Sequence, residues 1–302
     1  DVSWWPLGNG QGHITAVLVP AGLPIVTTLR TPASGNTVIN GQTDLSFTYE
    51  STTLPAPFNR RFDYSPWDVC FSDGMQPVVS YEKSAVRQTV WPMDMTPVSR
   101  EWVEESNIVK TVIGNTDFEL TAEDFISSDR DVLVRIFTVK NLMTTPTAFR
   151  LLHFAPINPS GRSVAPWVGG WKTIEAVNSC QYNAGSDCVL FTRNNSDWWV
   201  MGSDLQSSAH QCGVYQSVVS DIADGALSGA GSAGPAVVEA ALSFDSGVLQ
   251  QNQSYSVTVY VAHVASATVT QAAQQFAGSC KNTAGAQLRT TTLSFWQDWL
   301  AA

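Results

Sequence analysis

Short apolar runs broken by polar, glycine and proline turns dominate this chain, a pattern that predicts strands rather than helices. Residues 12–19 form a β-branched run that ends at Pro20 and Gly22. Residues 44–49 alternate Leu45, Phe47 and Tyr49, the two-residue period of a strand with one buried face. Residues 107–113 and 116–121 are predicted to form a hairpin across Gly114-Asn115. Residues 131–139 carry too many consecutive apolar side chains for a half-exposed strand, so they are predicted to be a central strand buried on both faces. Residues 147–154 are expected to pair with it across the turn 141–146. Further strands are expected at 189–193, 198–201, 237–244 and 254–265.

Helical periodicity is confined to two places. Residues 268–276 space Ala, Gln and Phe helically, and residues 293–300 place Leu293, Trp296 and Leu300 on one face. The expected fold class is therefore all-β: a large antiparallel β-sandwich with a short C-terminal helical segment. The expected organisation is one sandwich domain over 1–290 and a helical linker segment over 291–302. No internal repeat interrupts it, and loops rich in Pro, Gly and Trp fall at 50–67, 91–99 and 155–172.

Length and charge narrow the function. At 302 residues the chain is long enough to bury a core without help from disulfides. A net charge of −10 excludes a phosphate backbone and an anionic membrane surface as partners. Nothing in it reaches the roughly 18 apolar residues of a membrane-spanning helix. The acidic, lysine-poor composition, together with sequons at Asn194 and Asn252, gives the expectation of a secreted glycoprotein. Asp1-Val2-Ser3-Trp4 reads as a mature N-terminus left by cleavage. The cysteines are Cys70, Cys180, Cys188, Cys212 and Cys280, with no C-x-x-C pair to suggest zinc or redox chemistry. Cys180 and Cys188 flank a hairpin-like polar stretch and are expected to be bridged, with Cys212–Cys280 next; Cys70 is left free or bridged to a partner.

Catalytic signposts are missing. Gly229-Ala-Gly-Ser-Ala-Gly234 matches G-x-G-x-x-G, but Pro235 and a strand pattern follow where a dinucleotide site requires a helix, so it reads as a loop between strands. His13, His153, His210 and His263 show no ligand spacing and read as structural. There is no G-x-S-x-G. The acidic stretch from Asp117 to Asp124, then Asp129 and Asp131, lacks EF-hand spacing, and Asp117 with Glu119 reads as the solvent face of a strand. Glu104-Glu105 and Asp63/Asp68 are carboxylates of the kind a glycosidase uses, but nothing selects a pair. No catalytic residue, metal or cofactor is assigned. Eleven tryptophans remain, many near Pro/Gly loops. Trp67, Trp91, Trp167 and Trp171 either line a glycan groove, since aromatic faces stack on sugar rings, or staple the sandwich to itself or to a partner domain.

Several segments, in order, resemble the N-terminal domain of bacterial-type family-15 glycoside hydrolases, the glucoamylases, glucodextranases and related α-glucosidases. They are Leu7-Gly-Asn-Gly10, Asp131-Val-Leu-Val-Arg-Ile-Phe-Thr-Val-Lys-Asn141, Asp224-Gly-Ala-Leu-Ser-Gly229, Ala240-Ala-Leu-Ser-Phe-Asp-Ser-Gly-Val-Leu249, the strand at 254–261 and Phe295-Trp-Gln-Asp-Trp-Leu300. The stretch 155–215 does not align. The resemblance implies a supersandwich of the galactose-mutarotase-like type. It also implies that Trp296, Trp299 and Leu300 face an (α/α)6 catalytic barrel, held in another chain or absent, that carries both catalytic glutamates. The expected role is then the non-catalytic portion of a secreted α-glucan-hydrolysing enzyme, with that barrel and an oligo- or polysaccharide as partners. Two alternatives stay open: a stand-alone glycan-binding module, and a sugar epimerase or lyase built on the bare sandwich around His153 or His263.

Overall fold

A computed structural model describes residues 5–8, 15–18, 23–31, 35–39, 74–159, 162–163, 172–173, 177–214 and 216–302. Two antiparallel sheets face each other. The larger has nine strands in the order Ser232–Ala236, Asn178–Asn183, Cys188–Thr192, Asp197–Ser203, Ser254–Ala265, Val132–Asn141, Phe118–Ile126, Val109–Gly114 and Thr96–Trp102. The facing sheet has five, in the order Ala209–Val214, Val238–Leu249, Thr147–Ala155, Gln76–Lys83 and Val86–Val90. A second five-stranded sheet joins Trp5–Gly8, Thr15–Leu18, Val26–Thr31, Gly35–Ile39 and Ile157–Asn158. The predicted strand at 44–49 lies outside the described residues.

Val132–Asn141 is buried on both faces, as its continuous apolar run predicts. Leu133, Phe137 and Val139 point into the main core between the sheets. Val132 and Val134 point the other way, into a second cluster with Ala272, Ala273, Phe276 and Leu288. Those four residues come from the helix Val269–Phe276 and the helix Gly285–Ala301, which lie over the outer face of the nine-stranded sheet. A third, smaller cluster under the helix Ser217–Ala223 covers part of the five-stranded sheet, with Leu152, Phe154 and Trp91 beneath.

The predicted hairpin is present, with Asn115 Oδ1 accepting from the backbone N–H groups of Asp117 and Phe118 at its turn. The expected pairing of residues 147–154 with residues 131–139 is not. Val132–Asn141 pairs with Ser254–Ala265 and Phe118–Ile126, whereas Thr147–Ala155 pairs with Val238–Leu249 and Gln76–Lys83 in the opposite sheet. Asn141 directs this crossing. Its buried amide donates to Leu249 O at 2.9 Å, across the sandwich, and its Oδ1 accepts from Met143 N at 2.9 Å. A buried amide on the nine-stranded sheet that bonds the connection at Met143 and Thr145 and a carbonyl of the facing sheet holds the connection in a crossover rather than a tight turn.

Candidate functional site

The C-terminal helix Gly285–Ala301 carries Trp296, Trp299 and Leu300, the residues expected to face another domain. Its first half is clamped down. A Cβ on Gly285 would collide with the Thr258 side chain, so only glycine allows this approach to the sheet. Leu288 and Thr292 are buried, and Thr292 Oγ1 accepts from Ser128 N at 3.2 Å. Arg289 forms a bidentate pair with Glu123 on the nine-stranded sheet. The second half is progressively less covered, with Leu293 still packed on the second core cluster, Phe295 and Trp296 half-buried, and Trp299 and Leu300 exposed. Phe295, Trp296 and Trp299 stack edge to face at 5.3 and 5.7 Å. Trp299 is 63% exposed and Leu300 56%, an unusual display of large apolar surface. Trp296 Nε1 is buried with no hydrogen-bond partner among the described residues. The three residues expected to face a partner domain thus share one aromatic helix end. The helix is about twice as long as the 293–300 pattern suggests, because its first half holds polar residues used for anchoring.

The other expected contact residues do not join them. Trp91 is 3% exposed and lies edge-on to Phe154 at 5.6 Å, so its faces are spent on the core and the glycan-contact reading fails for it. Trp67, Trp167 and Trp171 lie outside the described residues. Trp198 and Trp199 are buried.

The described histidines do not form a centre. His153 is fully buried between the sheets. Arg135 Nη1 donates to its Nε2 at 3.2 Å, which leaves Nδ1 as the protonated nitrogen, 3.2 Å from Met201 Sδ. Burial, and then the charge of Arg135, hold its pKa well below the ordinary value. Arg135 itself is locked to Asp124 at 2.6 Å and donates to the carbonyls of Met75 and Pro24. Arg100 reaches Leu23 O from the same neighbourhood, and burial lowers its pKa to about 10. This network fixes the segment 23–26 between the sheets and offers no entry to a substrate. His210 stacks on Tyr182 at 3.5 Å, and His263 lies by Trp199 and 3.8 Å from Asp197. His13 lies outside the described residues.

The carboxylates are used structurally. Asp117, read from sequence as solvent-facing, is buried at the hairpin turn and accepts from Tyr81 Oη at 2.7 Å and Lys83 Nζ at 2.7 Å. Strand alternation alone missed this because Asp117 precedes the strand. Asp129 is paired with Arg130. Glu104 and Glu105 are exposed, and Asp63 and Asp68 lie outside the described residues. Among the described residues, no three His, Cys, Asp or Glu side chains gather as a metal site. The glycine motif contributes the edge strand Ser232–Ala236, with no helix after it.

The expected cysteine pairing is corrected. Cys180, Cys188, Cys212 and Cys280 are free thiols, all buried. Cys180 pairs with Phe191 and Cys188 with Asn183, three ladder positions apart, or about 10 Å along the strands. They also point to opposite faces, Cys180 into the main core and Cys188 under the helices. That separation rules out a bond between them. The same sheet divides Cys212 from Cys280. Cys70 lies outside the described residues. Asn194 stands on an exposed hairpin turn and Asn252 on an exposed turn where the chain crosses between the two sheets.

No family model matches the chain. A glycosyl hydrolase from Methanocaldococcus jannaschii, itself uncharacterized, is 23% identical over 167 residues, 54% of this chain and 25% of that protein. A bacterial glucoamylase solved in complex with acarbose superposes with a TM-score of 0.63 at 10% identity, over 98% of this chain and 36% of that one. A kojibiose phosphorylase from the human microbiome gives a TM-score of 0.51 at 11% identity, over 97% of this chain and 35% of that one. The chain therefore has the sandwich fold found in these carbohydrate-active proteins, and it spans about a quarter to a third of their length.

Proposed function

We propose that this chain is the non-catalytic sandwich portion of a secreted α-glucan-hydrolysing enzyme, and that it packs against an (α/α)6 catalytic barrel through the aromatic end of its C-terminal helix. The observation that carries this is the division of that helix: one half is clamped to the sheet by Gly285, Leu288, Arg289 and Thr292, and the other presents Trp299 and Leu300 to solvent. Exposed tryptophan at the end of an anchored helix is a costly surface unless something covers it. Similarity to a bacterial glucoamylase over nearly the whole chain, but over only 36% of that enzyme, supports a partner of barrel size. Dispersal of the described histidines, with His153 buried against Arg135, His210 stacked on Tyr182 and His263 beside Trp199, favours this reading over an epimerase or lyase on the bare sandwich. Secretion is supported by the acidic composition and by two sequons on exposed turns.

The test is native mass determination of the purified protein under non-reducing conditions, together with hydrolysis assays on α-glucans. A helical, barrel-sized polypeptide or extension should accompany the sandwich and carry the activity, and Trp299→Asp should weaken its attachment. Hydrolysis by the 302-residue chain alone, or an assembled enzyme in which Trp299 stays solvent-exposed, would overturn the reading.

A further inference from the structure

We propose that Cys180 and Cys212 form a disulfide that staples the nine-stranded sheet to the five-stranded sheet facing it. Cys180 lies in Asn178–Asn183 of the first and Cys212 in Ala209–Val214 of the second. One stretch of backbone draws these strands together. Cys212 N donates to Ala230 O at 2.7 Å, Tyr182 N donates to Gly231 O at 2.8 Å, and Cys180 lies opposite Ala233 in the ladder. The segment 230–233 is thus bonded to both strands within four residues. The two thiols belong to the same core cluster and are each 2% exposed, and Cys180 Sγ reaches Glu239 O at 3.7 Å, one residue from Ala240, the ladder partner of Cys212. No ladder or sheet separates them, in contrast to the pairings expected from spacing. Cys188 and Cys280 occupy the opposite face, under the helices.

The chemistry requires an oxidant, and a low-molecular-weight disulfide of the glutathione type suffices. One cysteine thiolate attacks a sulfur of that disulfide, giving a mixed disulfide and one released thiolate. The second cysteine thiolate then attacks the protein sulfur of the mixed disulfide, forming the protein S–S bond and expelling the second small thiol. Two electrons pass from the cysteine pair to the small disulfide, and two protons leave the protein thiols. Once folded, the dithiol is shielded: the neighbouring Cys212 thiol, and then burial, push the Cys180 thiol well above its ordinary pKa. The bond therefore forms during folding, before the sheets close, and not by attack on the finished native protein.

The bridge would stiffen the platform under the C-terminal helices. The hairpin that starts at Cys180 ends beside Asp187, where Lys281 Nζ donates to the carbonyls of Ser186 and Asp187 at 2.9 and 3.1 Å. Fixing one side of this hairpin to the opposite sheet fixes the anchor of the turn that carries Lys281. The inference does not depend on the proposed function.

The test is peptide mapping of the full chain refolded with reduced and oxidised glutathione, then alkylated without reduction. Trypsin alone leaves Cys180 and Cys188 in one peptide and Cys212 and Cys280 in another, so chymotrypsin is added to cut at Tyr182, Tyr215 and Phe244. A cross-linked peptide containing only Cys180 and Cys212 is expected. Alkylation of both cysteines, or either one linked to Cys70, Cys188 or Cys280, would overturn the proposal. As an independent readout, reductant should lower the Tm of the refolded protein by about 5 °C, and should still do so in Cys188→Ser. Cys180→Ser/Cys212→Ser should lose that response. A Tm indifferent to reductant in the wild-type chain would also count against the bridge, and both wild-type measurements stand even if the double variant does not fold.

Discussion

Arg289 and Glu123, 166 residues apart in sequence, meet in a bidentate pair with Nε–Oε2 at 2.6 Å and Nη2–Oε1 at 2.9 Å. The hydrogen bonds to Glu123 raise the pKa of Arg289 and hold the first half of the C-terminal helix on the nine-stranded sheet. Arg289→Ala should cost about 1–2 kcal/mol, since both partners are largely covered. It should also open the helix to limited proteolysis before the sandwich unfolds. Urea unfolding, read by tryptophan fluorescence and by cleavage time course, checks both expectations. A helix that stays protected in this variant would show that Leu288 and Thr292 anchor it unaided.

Trp91 and Trp299 should respond oppositely to truncation. Trp91 fills the cluster under the helix Ser217–Ala223, so Trp91→Ala should cost about 3–5 kcal/mol. Trp299 stands in solvent, so Trp299→Ala should leave stability of the isolated chain within about 0.5 kcal/mol of wild type. Denaturation midpoints at constant pH distinguish the two. A large loss at Trp299 would mean the residue is buried by this chain's own surface and is no docking element.

Arg135→Ala should destabilise by about 3–5 kcal/mol, because it strands Asp124 as a buried, unpaired carboxylate and removes the donors to Met75 O and Pro24 O. Asp124 Oδ2 has no partner among the described residues, which makes the bond of Oδ1 to Arg135 the more important. Equilibrium unfolding measures the loss directly.

Glu239 sets a pH dependence. Its Oε1 accepts from Val218 N at 2.7 Å at the start of the helix Ser217–Ala223, while Oε2 is buried without a partner among the described residues. Burial raises its pKa to about 7, against the opposing pull of the backbone N–H groups. The folded state therefore binds the proton more tightly than the unfolded chain, where the value is about 4.5. Its contribution is complete below pH 4.5 and is lost as pH rises to about 7, by roughly 2–3 kcal/mol. Glu239→Gln should remove this slope, so the stability difference between variant and wild type should grow in the variant's favour from pH 4.5 to 7 and then level off. His153 acts in the other direction. Its depressed pKa gives stability that is present above pH 6.5 and lost on acidification below it. Stability curves of His153→Gln and Glu239→Gln across pH 4–8 separate the two contributions.

Much of the framework follows from local pattern. The β-branched and alternating runs mark most of the long strands, and the doubly apolar run at 131–139 reveals a strand covered on both sides, because each face's burial is written into the residues that occupy it. The aromatic C-terminal segment likewise announces a helix with more apolar surface than the sandwich needs. Pairing is different. Nothing local distinguishes a hairpin turn from a crossing between sheets at 141–146; the buried Asn141 amide, satisfied by Leu249 from the opposite sheet, decides it. Which cysteines are neighbours is equally non-local, since the two faces of a sheet separate Cys180 from Cys188 at a spacing that sequence reads as a hairpin. The roles of Arg135, His153 and Glu239 depend on charges and carbonyls contributed by distant strands and loops, so only the tertiary structure identifies them as parts of the buried framework. Periodicity reports how each residue meets its own element, whereas contact between elements depends on which chain closure satisfies the buried polar groups.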